Sequence, residues 1–276
     1  MPHVKPLDLG GHGTFVHLAP ANGFPPATYR QLARDLAQGY HVVSLLPRPL
    51  SPGSRPESAP DWHPLADDLI RGLDGLGLSG IVGLGHSIGG VLTLWAAIER
   101  PDLFRAVILV DPVIFPPSML RLVRAGGALH LARRIPLVRA ALHRRRLFLD
   151  RQACFDHYRG KPLFERWSDS GLWDYVDAGT HLRPDGQLEL LYPPEWEAHI
   201  FATTPTDVWR GVSRLRLPAL LVRGEHSPTF LPAAQERLLR LLPTAQSITS
   251  RDAGHLVPME RPHEVASAIL EFLERI

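Results

Sequence analysis

The chain has 276 residues, 45% of them hydrophobic and 21% charged, with a formal net charge of +2. That length suits one α/β domain with or without an insertion, and that balance excludes a disordered polymer and gives no basic tail or patch for nucleic acid. A single cysteine, Cys154, rules out an internal disulfide; with no apolar leader at Met1-Pro2-His3-Val4 and no run as long as a membrane span, a cytoplasmic protein is expected.

In chain order, Gly13 to Ala19 reads as a strand and Pro20-Ala21-Asn22-Gly23-Phe24-Pro25-Pro26 as a turn. Thr28 is expected to N-cap a helix through Leu32, Ala33 and Leu36 that ends at Gly39. His41 to Leu46 is a second strand. A Pro/Ser loop follows, then a helix marked by Trp62, Leu65, Leu69 and Leu73. Ile81-Val82 leads into Gly83-Leu84-Gly85-His86-Ser87-Ile88-Gly89-Gly90 and a helix stopped by Arg100-Pro101. Ala106 to Val110 is an apolar strand closed by Asp111. From there to Val208 the alternation breaks down. It returns with a strand at Pro218–Arg223, a helix at Pro232–Leu242, a short strand at Ala245–Ile248, the loop Asp252-Ala253-Gly254-His255 and a last helix at Pro262–Arg275. Strands alternating with helices predict a parallel sheet covered on both faces. The expected organisation is a core of residues 1–111 and 209–276 with a cap, 112–208, inserted after Asp111. Few residues precede the first strand, so fewer strands are expected on that edge than in larger proteins of this kind.

Gly85-x-Ser87-x-Gly89 sits between a buried strand and a helix. A serine at the tip of so sharp a turn needs φ > 0, and side chains two residues to either side would collide across the bend. The helix starting at Ile88 directs free N–H groups and its positive end at the same place. Ser87 is therefore positioned as a nucleophile. Neither a dinucleotide fingerprint nor a phosphate-binding loop fits, since no lysine follows the glycines and the motif lies well inside the chain, after earlier β and α elements.

With Ala21-Asn22-Gly23-Phe24, the Ser87 elbow, and Ala253-Gly254-His255-Leu256-Val257-Pro258-Met259-Glu260-Arg261-Pro262 together, the chain resembles the α/β-hydrolase family over nearly its whole length except the cap. The resemblance implies His255 as general base, and an oxyanion hole from the N–H groups of Phe24 and Ile88, with Asn22-Gly23 in place of the commoner His-Gly pair. It also implies an acid on the loop after the Ala219–Arg223 strand, where Ser227 and Pro228 stand instead of Asp. Asp111 is then the first candidate acid, because some relatives carry theirs after the preceding core strand; Glu225 is the second, and an enzyme working without an acid is the third alternative. Asp111 before Pro112 also suits a simple turn cap.

A serine nucleophile suits acyl transfer rather than the alkyl-ester chemistry of epoxide and haloalkane hydrolysis. The reading is a serine hydrolase, a carboxylesterase acting on a small or medium carboxylic ester through an acyl-enzyme. It needs no cofactor and no metal, for His12, His17, His63 and His226 show no ligand spacing with carboxylates or Cys154. Thioester, amide or C–C bond hydrolysis are alternatives, as is a ligand-binding protein of this fold without turnover. His86 is expected to shape the elbow. The run from Arg133 through Arg139 to Arg144-Arg145-Arg146, with Ile135, Val138 and Leu142 interleaved, predicts an amphipathic cap helix whose outer face is solvated. Trp167, Trp173, Trp196 and Trp209 either line an acyl pocket or form the core of the cap.

Overall fold

The computed structural model describes residues 6–121 and 135–276; Met1 to Val4 and Arg133 lie outside the described residues. The chain runs through β1 (Leu7–Gly10), β2 (Phe15–Ala19), α1 (Arg30–Leu36), β3 (His41–Ser44), α2 (His63–Gly75), β4 (Ile81–His86), α3 (Ile88–Glu99) and β5 (Phe104–Val110). Between β5 and the return of the alternation lie α4 (Pro136–Leu142), β6 (Leu147–Phe148), α5 (Arg151–Arg159), α6 (Asp169–Gly179), β7 (Thr180–Leu182), β8 (Leu188–Leu190) and α7 (Pro194–Ala202). Then come β9 (Ala219–Gly224), α8 (Pro232–Leu241), β10 (Gln246–Ser250), the single turn α9 (Val257–Glu260) and α10 (Pro262–Leu273).

The large sheet has the order β1-β3-β2-β4-β5-β9-β10. The near-continuous apolar runs take its middle: β4 and β9 are buried along their whole length, and β5 everywhere but Arg105, because helices cover both faces. Each aliphatic side chain so buried contributes roughly 1.5–3 kcal/mol. The half-polar Gln246–Ser250 occupies an edge, where one side chain in five is buried. All six strands from β2 to β10 in this sheet are parallel, so their C-terminal ends open on one side. The strand order reverses between β2 and β4, and the loops that leave those two ends therefore flank a crevice.

Three expectations are corrected. The edge carries one more strand than the sequence suggested, β1, which pairs antiparallel with β3 through Asp8↔Val43. Thr28 caps nothing: a 3-10 turn over Pro26–Tyr29 precedes α1, and the Thr28 hydroxyl is buried with no partner among the described residues. The helix expected through the arginine run is short: α4 ends at Leu142 and holds only Arg139, Arg144-Arg145-Arg146 follow it outside any helix, and only part of the expected apolar stripe is covered. Val138 is 3% exposed, whereas Ile135 and Leu142 are 37% and 47% exposed. In the same stretch, Pro184-Asp185-Gly186 turns a hairpin, β7 onto β8, with β6 on the other side of β8 in a separate small sheet.

Candidate active site

β4 enters the elbow buried and ends at Ser87, whose φ of 59° and ψ of −122° lie where non-glycine residues rarely stay. Such a backbone costs on the order of 1–3 kcal/mol and persists only when neighbours fix it. They do so here: Ser87 N–H donates to Val110 O at 3.1 Å, and Ser87 O accepts from Gly90 and Val113. A Cβ on Gly85 would stand 2.2 Å from Gly89 O, the collision across the bend that the spacing predicts. One on Gly89 would instead meet Ala19 O at 2.1 Å, so that second glycine is demanded by the passage of β2. The Ile88 N–H at the start of α3 has no acceptor among the described residues.

Ser87 Oγ lies 2.9 Å from His255 Nε2, and His255 Nδ1 lies 2.8 Å from Asp111 Oδ1, although Asp111 and His255 are 144 residues apart. With a carboxylate on its Nδ1 side, the imidazole carries its proton there and leaves Nε2 to accept from the serine hydroxyl. Asp111 is completely buried and has φ of 42°, which turns its carboxylate off the end of β5 towards the histidine. Its other oxygen accepts the Gly224 N–H at 2.8 Å. Gly224 must be glycine, since a Cβ there would be 2.0 Å from Gly254 O on the histidine loop. Glu225 faces away: it is exposed, and its carboxylate accepts the Asp252 N–H at 3.0 Å, a backbone bond that lowers its pKa.

The loop after β2 comes to the same point. Gly23 has φ of 82°, and Phe24 follows it. The Phe24 N–H closes a turn onto Ala21 O at 3.3 Å, a long bond, so of the two expected oxyanion donors Ile88 is the unengaged one. Asn22 explains the departure from His-Gly: its amide N–H donates to Glu197 O and its Oδ1 accepts from the Tyr192 hydroxyl, each at 2.9 Å, which pins the loop to the segment holding α7. Glu197 in turn pairs with Arg144, whose guanidinium also reaches the hydroxyls of Tyr158 and Tyr175. Arg144 is therefore not on a solvated face, as the arginine run suggested. Arg145 lies over the Phe148 ring, and Arg146 makes an exposed pair with Glu195.

His86 does more than shape the elbow. Its Nε2–H donates to His255 O at 2.9 Å, while its Nδ1 accepts from the Tyr29 hydroxyl at 2.6 Å, and that hydroxyl accepts the Ala21 N–H at 2.9 Å. The loop after β2 and the histidine loop are thus tied through one neutral imidazole. Burial, with the neighbouring His255 adding to it, holds the His86 pKa well below the usual value.

The tryptophans part company. Trp167 is buried against the Phe24 ring, centroids 6.0 Å apart, while Trp173 stacks on Phe155 at 4.4 Å and is only partly covered. Trp196 and Trp209 are tied by their indole N–H groups to Ser54 and Phe115. None of the four lines the apolar cavity of ≈ 90 Å³ that lies beside Ile88, walled by Leu45, Leu65, Leu69, Leu92 and Ile200. Elsewhere, exposed Glu225, His226 and Asp252 bring ligand-type atoms within 4.8 Å of one another, a neighbourhood that spacing had not revealed for His226. Tyr29, Thr229 and Glu197 also meet the site unannounced, for nothing local marks a hydroxyl or carboxylate that acts at long range; Ser227, noted only as standing where an acid was expected, meets it too.

A sequence profile of the alpha/beta hydrolase family matches residues 12–268, and the chain belongs to that family. It is 27% identical to the polyketide synthase ThaQ of Burkholderia thailandensis over 96% of its own length, though it spans only 12% of that protein. It is 26% identical to the mouse sn-1-specific diacylglycerol lipase ABHD11, over 89% of this chain and 76% of the lipase. The crystal structure of E-2-(acetamidomethylene)succinate hydrolase superposes with a TM-score of 0.78 at 22% identity, covering 98% of each chain.

Proposed function

We propose that this hydrolase is a serine carboxylesterase in which Ser87 is the nucleophile, His255 the base and Asp111 the acid. The observation that carries this reading is the unbroken chain Ser87 Oγ, His255, Asp111 at 2.9 and 2.8 Å, with the strained serine at its head. His255 takes the proton as Ser87 Oγ bonds to the ester carbonyl carbon. The Ile88 N–H meets the oxyanion, and Phe24 joins it if its long bond to Ala21 gives way. Collapse of the tetrahedral adduct breaks the bond to the alcohol, which leaves with the proton from His255. Water, activated by the same histidine, then frees the acid.

The leaving group must lie by His255, which arrives from the β10 side of β4. The acyl part then runs the other way, to the β2 and β3 side, where the cavity beside Ile88 has room for a short apolar chain. Likeness to a lipase supports an ester as substrate. Here the acyl pocket is walled by the leucines and Ile200 rather than by tryptophans, and residues 112–208 act as the cap that supplies Ile200 and Tyr192. Two measurements test the reading: labelling by a fluorophosphonate probe, lost in Ser87→Ala, and rates on p-nitrophenyl esters of graded chain length. Folded protein that neither labels nor turns over any ester would make this a binding protein of the hydrolase fold.

A further inference from the structure

The loop after β9 lacks the acid expected there, yet two of its hydroxyls converge on the carboxylate that stands in for it. Ser227 Oγ lies 2.5 Å from Asp111 Oδ1, and Thr229 Oγ1 lies 3.1 Å from the same oxygen and 2.8 Å from His255 Nδ1. The hydrogen positions follow from what surrounds each hydroxyl. Ser227 Oγ accepts the N–H groups of Thr229 and Phe230, at 3.2 and 3.1 Å, so its own proton is left for Asp111. Thr229 Oγ1 faces an N–H donor, the His255 Nδ1–H, and a carboxylate acceptor; it accepts from the first and donates to the second. Asp111 Oδ1 thus receives three donors, while Oδ2 takes Gly224 N–H.

We infer that Ser227 and Thr229 are positioning residues for the reaction: Ser227 fixes the Asp111 carboxylate, and Thr229 shares the His255 Nδ1 proton with it, so that the loop supplies two hydroxyls in place of its missing carboxylate. The inference rests on the proposed roles of Asp111 and His255. A completely buried carboxylate without such donors would be costly, and besides the two hydroxyls Asp111 has only the Gly224 N–H and His255 Nδ1 as side-chain partners among the described residues. Neither hydroxyl touches the reacting atoms. Each acts on the orientation of an imidazole that must give and take a proton at Nε2.

The test combines kinetics with a spectroscopic signature. Ser227→Ala and Thr229→Val should each lower kcat about 10- to 100-fold with KM unchanged, the effect of a hydrogen bond to a charged group. Thr229→Ser, which keeps the hydroxyl, should stay within about threefold. Because Ser227 acts through Asp111, Ser227→Ala should add nothing further in an Asp111→Asn background. In proton NMR the low-field His255 Nδ1–H resonance, identified by its loss in His255→Ala, should move in Thr229→Val and return in Thr229→Ser. That signal is read without turnover, so it judges the inference even if no ester is a substrate. An unmoved resonance in both Thr229→Val and Ser227→Ala overturns the inference. So does a Ser227→Ala loss that is as large with Asn at 111 as with Asp.

Discussion

At the scale of single residues, the proposed mechanism depends on groups that work as one unit. Ser87→Ala or His255→Ala should lower esterase activity on the order of 10⁴-fold while leaving circular dichroism unchanged, because each loss disables the others. A mutant keeping a tenth of the wild-type rate takes that residue out of the mechanism. The acid is decided the same way. Asp111→Asn should lower kcat about 10⁴-fold by presenting an amide to the Nδ1 side and upsetting the tautomer. Glu225→Gln should leave the rate on the same ester unchanged, since the exposed Glu225 carboxylate holds the Asp252 N–H and not the histidine. Loss of activity in Glu225→Gln, with Asp111→Asn unaffected, would reverse the assignment.

At the scale of elements, the crevice is a meeting of loops, and Tyr29 and His86 brace two of them. Tyr29→Phe removes the hydroxyl that accepts the Ala21 N–H and donates to His86. Two buried groups then lose a partner, and the expected loss is about 2 kcal/mol of stability on denaturant melting, together with a fall in kcat as the loop after β2 loosens. An unchanged midpoint would mean that the loop is held without this brace. In the proposed reading the cavity beside Ile88, which no tryptophan lines, holds the acyl group. Leu92→Phe or Leu69→Phe, which fill it, should depress the rate on butyrate and longer esters while sparing acetate. Trp173→Ala, remote from those walls and stacked on Phe155, should leave the chain-length profile intact. A profile that shifts with Trp173 and not with the leucines would place the acyl group elsewhere.

At the scale of the whole molecule, the buried histidines set a pH limit on stability. His17 is 2% exposed, its Nε2 accepts the Leu45 N–H at 3.1 Å, and burial pushes its pKa down to about 4. The unfolded chain binds a proton at this histidine near pH 6.5 while the folded chain refuses it. Stability is therefore full above about pH 6.5 and falls as pH drops towards 4, by roughly 3 kcal/mol from His17 alone. His86 acts in the same direction. Melting temperature measured from pH 7.5 to 4.5 should fall on the acid side. His17→Gln, which keeps an acceptor and cannot titrate, should flatten that slope; an equal slope in the mutant would assign it to other groups. Among the described residues no helix is long and apolar enough to cross a membrane.

The sequence by itself determined whatever a local pattern can encode. Alternating apolar runs and helical spacings defined the parallel sheet, Gly85 and Gly89 marked the bend around Ser87, and the Gly-His-x-x-Pro stretch singled out His255 from 14 histidines. For the acid it left Asp111, Glu225 or none. Which carboxylate meets the imidazole was left to tertiary structure, because the packing of β5 against β9 brings Asp111 to His255 across 144 residues. The same holds for the edge strand β1, too short to announce itself before it paired with β3, and for Arg144, whose neighbours in sequence predict solvent but whose partners across the fold are Glu197, Tyr158 and Tyr175. Periodicity records which face of an element is buried. It carries no trace of the partners that distant parts of the chain bring to a polar group, and at this crevice those partners come from β5, the loop after β9 and the loop after β10.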